Sequence, residues 1–475
     1  MQINVSSEIG PLRSLIIHSP DSGIGRVAPS KAQDWLFEDI LHLNTMRRGE
    51  YDYYVKILLY FLDPSSIKGK LATIDASGDN RSFYIPGKTA FHNSPCVIEI
   101  EKLLAEILQE TSICQKLTAS VCAIEGCSYR LQQELIKSNP AELAKVFISG
   151  FMSDGNMIFS PIPNFIFTRD IGVTINNYIL LSRPAKKARS REALLSRYIF
   201  FNHPYFEKYR ENILEIPDSI KYFLRPGEDT GEKTTIEGGD VMVVSKGHVL
   251  IGCSERTSPC GASEAVKLLF ENKVVDKVTV IKIPHKRDFM HIDTLFTQVK
   301  RNIWVVLGLI ASKEQSRPVE PIDYLSDKRN KDKPEIIQFI KDKLQKPRIF
   351  DCIEDLLNDI SQHELHSEQP TRFIYSGNNE FPYDVREQWT DSCNLLALKE
   401  GVVIGYDRND FTIAAFRQQG FSIVKAADLI TGFENGNINP ADIENTFITI
   451  PSAELSRARG GFHCMSMPLW RDALL

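Results

Sequence analysis

A cysteine near the C-terminus stands in a setting that could support nucleophilic chemistry. Cys464 follows the glycine pair Gly460 and Gly461 and the basic residue Arg459. Glycine allows close backbone approach, and a positive charge beside a thiol favours the thiolate. A free cysteine is more often a small buried hydrophobic residue, so this segment alone leaves both interpretations open. Because chain ends are poorly ordered unless they are tied down, the glycine-framed cysteine predicts that the terminal segment docks into a site.

Three further segments place acidic and histidine side chains beside β-rich runs. Asp170 follows an aromatic-rich run that reads as a strand, and Glu237 and Asp240 flank a glycine pair before another strand. His291 and Asp293 are two positions apart. On an extended chain such positions face the same way, so both could reach one pocket. On a helix they would diverge by about 200°.

Each of these segments alone also has a purely structural interpretation. Asp170 could be a turn or cap residue, Glu237 could belong to a tight turn that faces water, and His291 could be an ordinary core or surface histidine. Metal binding is a further alternative, since these residue types are all ligands, but neither an HExxH motif nor paired cysteines support zinc. Together, however, the carboxylates Asp170, Glu237 and Asp293 with one histidine and one cysteine fit a reaction at a guanidinium carbon.

The composition indicates a globular protein and disfavours a nucleic-acid partner. The 475 residues are 43% hydrophobic and 25% charged, with a formal net charge of −5, whereas a nucleic-acid surface needs a basic face. Nine irregularly spaced cysteines without a CxxC pair argue against a disulfide framework. The N-terminal residues lack the layout of a signal peptide, and no apolar run approaches bilayer length. We therefore expect a cytoplasmic protein without a membrane partner.

The first third of the chain reads mainly as helical after one short strand. Residues 12–18 predict the strand, and residues 31–62 predict an amphipathic helix. A polar loop is expected at 63–92. Asn93, Ser94 and Pro95 then supply an N-cap and a first-turn proline, which open a helical block that extends to about residue 148.

From residue 158 onwards, short β-rich runs alternate with helical stretches. Residues 241–251 read as a hairpin, and 263–270 and 334–344 read as helices. The charged segment 313–333 is expected to be an exposed excursion. Alternating strands and helices predict an α/β or mixed α+β architecture.

The ordered set of motifs resembles the arginine deiminases, members of a guanidino-group-modifying superfamily that includes amidinotransferases and dimethylargininases. The likeness runs through segments at 7–12, 167–170, 237–240, 291–294, 386–389, 401–409 and 464–468. The resemblance implies a pseudo-five-fold α/β propeller of ββαβ units with the site at its central axis. It also implies one catalytic propeller over residues 1–475 with an inserted helical subdomain at 93–148.

The resemblance assigns a chemical role to each candidate catalytic residue. Asp170 and Asp293 are expected to bind the guanidinium in charge-assisted pairs, and Glu237 to contact the same group or pair with His291. Cys464 would attack the guanidinium carbon. His291 would protonate the departing ammonia and then act as the base for water. No metal or organic cofactor has a task in this scheme.

The resemblance also implies a substrate-binding set. Asn164, Arg189 and Arg256 would bind the α-carboxylate, with Arg191 as the alternative to Arg189 if the alignment slips, and Arg459 would complete the set. Two arginines at that end favour free L-arginine, the expected small-molecule partner, over agmatine.

Some features of the sequence leave alternatives open. Ala458 stands where many members of the family have glycine, and extra residues lie near 63–92 and 310–370. Amidino transfer to an amine, deimination of agmatine or a methylated arginine, and arginine binding without catalysis therefore remain in view, as does homo-oligomerisation.

Overall fold

The computed structural model describes residues 2–37, 39–76, 82–217, 233–312 and 333–474. Short strands lie throughout these ranges. In chain order they are β1 (Leu12–Ile17), β2 (Val97–Glu99), β3 (Gly172–Ile175), β4 (Tyr178–Leu181), β5 (Ile213–Leu214), β6 (Val241–Ser245), β7 (His248–Cys253), β8 (Lys277–Lys282), β9 (Phe296–Lys300), β10 (Ile303–Val306), β11 (Glu335–Ile340), β12 (Arg348–Phe350), β13 (Arg372–Tyr375), β14 (Leu396–Lys399), β15 (Val402–Tyr406), β16 (Ser422–Lys425), β17 (Thr446–Ile450) and β18 (Met467–Arg471).

Helices separate many of these strands. In chain order they are α1 (Leu43–Thr45), α2 (Asp52–Leu62), α3 (Leu71–Ala76), α4 (Ile100–Ile107), α5 (Thr111–Glu125), α6 (Tyr129–Ile136), α7 (Pro140–Ser149), α8 (Ser190–Asn202), α9 (Pro259–Glu271), α10 (Gly308–Ala311), α11 (Ile353–Asp359), α12 (Tyr383–Trp389), α13 (Asp410–Gln418) and α14 (Ala426–Glu434). A π-helical segment, Met46–Tyr51, joins α1 to α2.

The described strands group into five sheets that share one pattern. Their orders are β3-β4-β5, β12-β11-β8-β7-β6, β13-β10-β9, β14-β15-β17-β16 and β18-β1-β2. In each sheet an antiparallel pair is followed by a strand parallel to the second member of that pair. The pairs and third strands are β3/β4 with β5, β6/β7 with β8, β9/β10 with β13, β14/β15 with β17, and β18/β1 with β2.

A helix lies in the connection to each of these third strands, because a parallel strand can be reached only through a crossover. The mixed α/β class predicted from the sequence is therefore confirmed. The arrangement of the five sheets around a common axis stays a prediction.

The C-terminal segment is held by the first strand of the chain. β18 lies antiparallel to β1, with Leu15 opposite Pro468 and Ile16 opposite Met467. Arg471 Nη1 donates a hydrogen bond to the Gly10 carbonyl at 2.8 Å. The segment that carries Cys464 is thus tied down immediately after the cysteine, as the sequence predicts.

Helices α4 to α7 occupy the region predicted as a helical block. The predicted apolar repeat lies on α4, where Leu103 and Leu104 are fully buried. The predicted start is wrong, because β2 intervenes and the N-cap is Glu99, whose carboxylate accepts a hydrogen bond from the backbone N–H of Glu101.

Helix α5 was not predicted from the sequence. Its buried face combines Cys114, Thr118 and Cys122 with only two larger apolar residues, Leu117 and Val121, so it shows no leucine-rich repeat of the kind that marks α4.

Two other helix predictions are wrong in part or whole. Residues 334–344 form mainly β11, which pairs with β8 so that Ile336 lies opposite Ile281; the branched and aromatic residues of this run suit a sheet. In the predicted helix 31–62, regular helix starts only at Leu43, and Leu36 has φ of 60°, which a right-handed helix excludes.

Two predicted loops have different outcomes. The segment 63–92 contains the short helix α3. The excursion predicted at 313–333 lies, apart from its last residue, outside the described residues.

The nucleophile segment packs into the apolar core. Phe462 and Cys464 belong to the same buried cluster as Phe167 and the inner face of α2. Elsewhere Trp304 is fully buried, and its indole N–H donates to Ser361 Oγ at 2.9 Å. Across the described ranges, none of the helices has the length and apolar character that crossing a bilayer requires.

Two glycines allow a matched test of the packing of the helical block. Gly126 and Gly150 end α5 and α7 in the left-handed conformation, with φ of 70° and 76°. A Cβ at Gly150 would lie 1.9 Å from the Phe159 carbonyl oxygen, whereas a Cβ at Gly126 would have no atom of the described residues within 4 Å. We expect Gly126→Ala to cost about 1 kcal/mol through backbone strain and Gly150→Ala clearly more. Thermal unfolding midpoints measure the difference, and equal shifts would contradict the close approach.

Candidate active site

The candidate site is built from turns that occupy the same place in each sheet. Each turn immediately precedes the first strand of an antiparallel pair, and the side chains it contributes are Asp170 before β3, Glu237 before β6, Asp293 before β9, Asn394 before β14 and Cys464 before β18. Asp170 lies in the 3-10 turn Thr168–Ile171, so the prediction that it ends a strand is wrong.

The glycine pair beside Glu237 is required by close packing. A Cβ at Gly238 would lie 1.9 Å from the Arg169 carbonyl oxygen, and a Cβ at Gly239 would lie 2.5 Å from His291 Nδ1. Any side chain at these positions would therefore push apart the turns that carry the acids and the histidine.

A cavity of about 130 Å³ connects the site residues. Most of the residues predicted from the sequence line it: Asn164, Asp170, Arg189, Arg256, His291, Arg459 and Cys464. Glu237 and Asp293 lie directly behind this lining, fully buried, and contact His291 and Cys464 respectively.

Cys464 is buried against carboxylates. Its backbone N–H donates to Asn394 Oδ1 at 3.0 Å, and its Sγ lies 3.6 Å from Asp293 Oδ2. Burial, followed by the negative charges of Asp293 and Asp170, raises the pKa of the thiol well above its ordinary value. The side chain of Arg459, expected to favour the thiolate, stacks on Trp389 with its guanidinium carbon 3.2 Å from the ring centroid.

His291 is held as a cation. Its Nε2 lies 3.2 Å from Glu237 Oε2, and its Nδ1 lies 3.9 Å from Asp170 Oδ1. Burial lowers the pKa of the imidazole, but Asp170, Asp240 and Glu237 outweigh that effect and raise the pKa to about 10. The ring is therefore protonated at neutral pH and can donate a proton.

The acidic residues already hold a guanidinium group, that of Arg189. Arg189 Nη1 donates to Asp170 Oδ2 at 2.8 Å and to Glu237 Oε2 at 3.0 Å, and its Nε donates to Glu192 at 2.8 Å. Arg189 thus lies on the acids and not at a separate carboxylate-binding end of the cavity.

Two buried carboxylate oxygens remain available beside this contact. Asp170 Oδ1 and Asp293 Oδ1 accept no hydrogen bond from the described residues. Since a buried polar atom without a partner is costly, these two oxygens mark positions where a ligand with N–H groups would be stabilised.

The residues predicted to bind a carboxylate differ in their contacts. Arg256 is buried, and within the described ranges its Nε and Nη1 have no hydrogen-bond partner, while Nη2 lies 3.4 Å from Met290 Sδ. Asn164 instead donates to the Trp35 carbonyl at 2.8 Å. Arg191, the alternative to Arg189, pairs with Glu125 at 2.6 Å and does not line the cavity.

Sequence reasoning missed residues that connect the turns. Asn394 joins two of them, because its Nδ2 donates to the Asp293 carbonyl at 3.2 Å and its Oδ1 accepts from Cys464. Asp240 accepts from the Ile292 N–H at 3.1 Å and from the Ser254 hydroxyl at 2.6 Å. Asp240 stood in a recognised motif, whereas Asn394 carried no local signal.

A metal ion is a poor match for the same acids. Asp170, Glu237 and His291 place potential ligand atoms within 4.8 Å of one another. However, Arg189 already supplies a cation to both carboxylates, and His291 is itself held as a cation. A planar, hydrogen-bonding cation suits this group better than a metal ion does.

The raised pKa of His291 predicts a pH-dependent stability. The group titrates near 10 in the folded protein and near 6.5 when unfolded, so its stabilising contribution is complete below pH 6.5 and is lost as the pH rises through about 10. We expect wild-type protein to be more stable than His291→Gln at pH 6.5, with the difference shrinking towards pH 10. Thermal unfolding at several pH values measures this.

Loss of a histidine elsewhere provides the control for that measurement. His363 has 76% of its side chain exposed, and His363→Gln should show no comparable trend. A constant gap between wild type and His291→Gln across the pH range would contradict the charged state assigned to His291.

Comparison with known proteins finds relatives that match this chain along almost its whole length. Arginine deiminases of Borreliella afzelii and Staphylococcus aureus (strain MRSA252) are 27% and 28% identical over 478 and 495 aligned residues, which cover 99% of this chain and 98% of each relative. A solved amidinotransferase of the saxitoxin biosynthetic pathway from Microseira wollei aligns over 100% of this chain and 98% of its own, at 13% identity and a TM-score of 0.49.

A family profile extends over most of the chain. The profile described as arginine deiminase matches residues 106–471, which include every catalytic and substrate-binding residue predicted from the sequence. Because this match covers well over half of the chain, the protein belongs to the arginine deiminase family.

Proposed function

We propose that the protein hydrolyses free L-arginine to L-citrulline and ammonia through a covalent intermediate on Cys464. The observation that carries the proposal is that Cys464 shares one cavity with buried carboxylates that already bind a guanidinium. Asp170 Oδ1 and Asp293 Oδ1 would accept N–H groups of the substrate, since a guanidinium presents donors in a planar fork that matches carboxylates.

Substrate binding then requires a change at Arg189. Its guanidinium occupies Asp170 Oδ2 and Glu237 Oε2, so a substrate bound at the Oδ1 atoms of Asp170 and Asp293 would place a second positive charge directly beside it. Arg189 moves off these acids when arginine enters, and the displaced guanidinium, still at the cavity wall, is free to pair with the substrate's α-carboxylate. This exchange reconciles the contacts of Arg189 with the role that the family resemblance implies.

The bound substrate also activates the nucleophile. Burial and nearby carboxylates keep Cys464 as a neutral thiol in the unliganded site. A guanidinium held beside the sulfur adds the positive charge that lowers the pKa of the thiol. The thiol releases its proton to solvent as the substrate enters, so the thiolate forms beside the electrophilic carbon.

His291 serves both halves of the reaction. The thiolate attacks the guanidinium carbon, and the C–N bond breaks as the imidazolium transfers its proton to the departing ammonia. The product is an S-alkylthiouronium on Cys464. The neutral imidazole then removes one proton from water, and the water oxygen attacks the same carbon. The adduct expels the Cys464 sulfur, which takes up the remaining hydroxyl proton and returns to the thiol, and citrulline is released.

Arg256 supports the choice of a substrate with a carboxylate. It is a buried cation at the cavity wall whose Nε and Nη1 lack partners among the described residues, so an anionic group is the ligand that would satisfy it. The α-carboxylate of arginine supplies that group, and agmatine does not.

The repeated sheet pattern supports the finer fold proposal. Five copies of an antiparallel pair followed by a parallel strand, each with its site turn before the first strand, suit a pseudo-five-fold propeller with the site on its axis. In this proposal residues 1–475 form the catalytic propeller and 93–148 an inserted helical subdomain. The enzyme works in the cytoplasm, where reducing conditions keep its thiols free.

The nucleophile is tested by Cys464→Ala. We expect citrulline formation to fall by at least about 10³-fold, because the covalent step is lost, while arginine binding by calorimetry remains measurable. Cys122→Ala, a buried cysteine of α5, is the matched control and should keep its activity. Product formation by Cys464→Ala at the wild-type rate would exclude the assignment.

The products of the wild-type enzyme separate hydrolysis from amidino transfer. With arginine and no amine acceptor, hydrolysis gives ammonia and citrulline in equal amounts. Ornithine in place of citrulline would instead indicate transfer.

The carboxylate contact is tested by Arg256→Ala. We expect kcat/KM for L-arginine to fall by about 10²-fold, since a charge-assisted pair is lost, with a much smaller loss for agmatine. Comparing the two substrates in one variant cancels any general loss of folded enzyme. Arg191→Ala is the control, because Arg191 does not line the cavity and its loss should not discriminate between the two substrates. Equal losses for both substrates would contradict the role given to Arg256.

A further inference from the structure

His463 lies between two buried carboxylates outside the set of residues used in the reaction above. Its Nδ1 is 2.8 Å from Asp293 Oδ2, and its Nε2 is 3.4 Å from Glu8 Oε2. All three side chains are almost completely buried. A neutral imidazole has only one N–H donor, so only the doubly protonated ring can donate to both carboxylates.

The surrounding charges favour that state. Glu8 also accepts a hydrogen bond from Arg169 Nη2 at 2.7 Å, and the positive charge of Arg471 lowers the pKa of the Glu8 carboxyl group. Burial and Arg169 lower the pKa of His463, but hydrogen bonds to Asp293 and Glu8 outweigh them, and the pKa is raised. Cations and carboxylates thus alternate in one buried row, in the order Arg169, Glu8, His463 and Asp293.

The contact with His463 determines which oxygen of Asp293 faces the ligand. Oδ2 is shared by His463 and by the Cys464 thiol, whereas Oδ1 has no hydrogen-bond partner among the described residues. Rotation of the carboxylate would exchange these two environments. A donor fixed at Oδ2 therefore keeps Oδ1 in place for an N–H group of the substrate.

We propose that His463 is a positioning residue of the reaction. As an imidazolium it fixes the orientation of the Asp293 carboxylate between the Cys464 sulfur and the substrate guanidinium. The inference rests on the proposed roles of Cys464 and Asp293. His463 touches neither substrate nor leaving group, and it acts through Asp293. Its positive charge also offsets the effect of the Asp293 carboxylate on the neighbouring thiol.

Two amide variants separate the position of the donor from the charge. His463→Asn places an amide N–H near the position of Nδ1 and can still donate to Asp293, whereas His463→Gln reaches towards Glu8 and loses that contact. We expect kcat to fall less than about 10-fold in His463→Asn and about 10²-fold in His463→Gln, the loss typical of a misplaced reacting group. A purely structural histidine would give the same loss in both variants.

The reactivity of Cys464 gives a second measurement. Both amides remove a positive charge beside Asp293, so alkylation of Cys464 by iodoacetamide, followed by peptide mass spectrometry without substrate, should shift its pH profile to higher pH in both. Turnover of arginine by the wild-type enzyme is measured first. Its absence would overturn the proposed function, while the alkylation profiles would still test the coupling of His463 to Cys464.

Each outcome decides the inference. A higher kcat in His463→Asn than in His463→Gln, together with a shift of both alkylation profiles to higher pH, supports it. Equal turnover in the two folded variants, or alkylation profiles that match wild type, overturns it. Thermal unfolding confirms that both proteins are folded, and alkylation of the half-buried Cys260, remote from Asp293 in the sequence and on α9, provides the internal reference for thiol reactivity.

Discussion

The structure depends on balancing several carboxylates that are buried in one small volume. A buried charge is tolerated only when it is paired and hydrogen-bonded, and here four of the acids have a cation beside them. Arg189 and His291 balance Asp170 and Glu237, and Arg169 and His463 balance Glu8 and Asp293. This balance constrains the ligand as well, because whatever replaces the Arg189 side chain must bring a positive charge of its own.

The repeated sheet pattern explains how such different side chains converge. Five turns hold equivalent places before five strand pairs, and they carry acid, histidine, amide and thiol side chains. Coupling between turns is carried by side-chain contacts, notably those of Asn394 with Asp293 and Cys464 and that of Asp240 with the Ile292 N–H.

Much of this could be predicted from the sequence where the signal was local. The hairpin of β6 and β7 follows from alternating branched residues around a turn, and Cys464, His291 and Glu237 stood in recognisable motifs. Contacts between distant residues could not be predicted in the same way. The pairing of β11 with β8 overrides a helix-like pattern, and the bond between Arg189 and Asp170 depends on a side-chain conformation that no spacing encodes. His463 was visible in the sequence, but its role depends on Asp293, which lies 170 positions away.

The antiparallel pairing of β18 with β1 has a kinetic consequence. Strands so distant in sequence can meet only after most of the chain has collapsed, since closing a very long loop is entropically unfavourable and slow. The sheet that they share with β2 should therefore be among the last to assemble during refolding. Since the thiol lies just before β18, intermediates with four native sheets would be compact yet inert, and recovery of turnover would lag behind recovery of secondary structure.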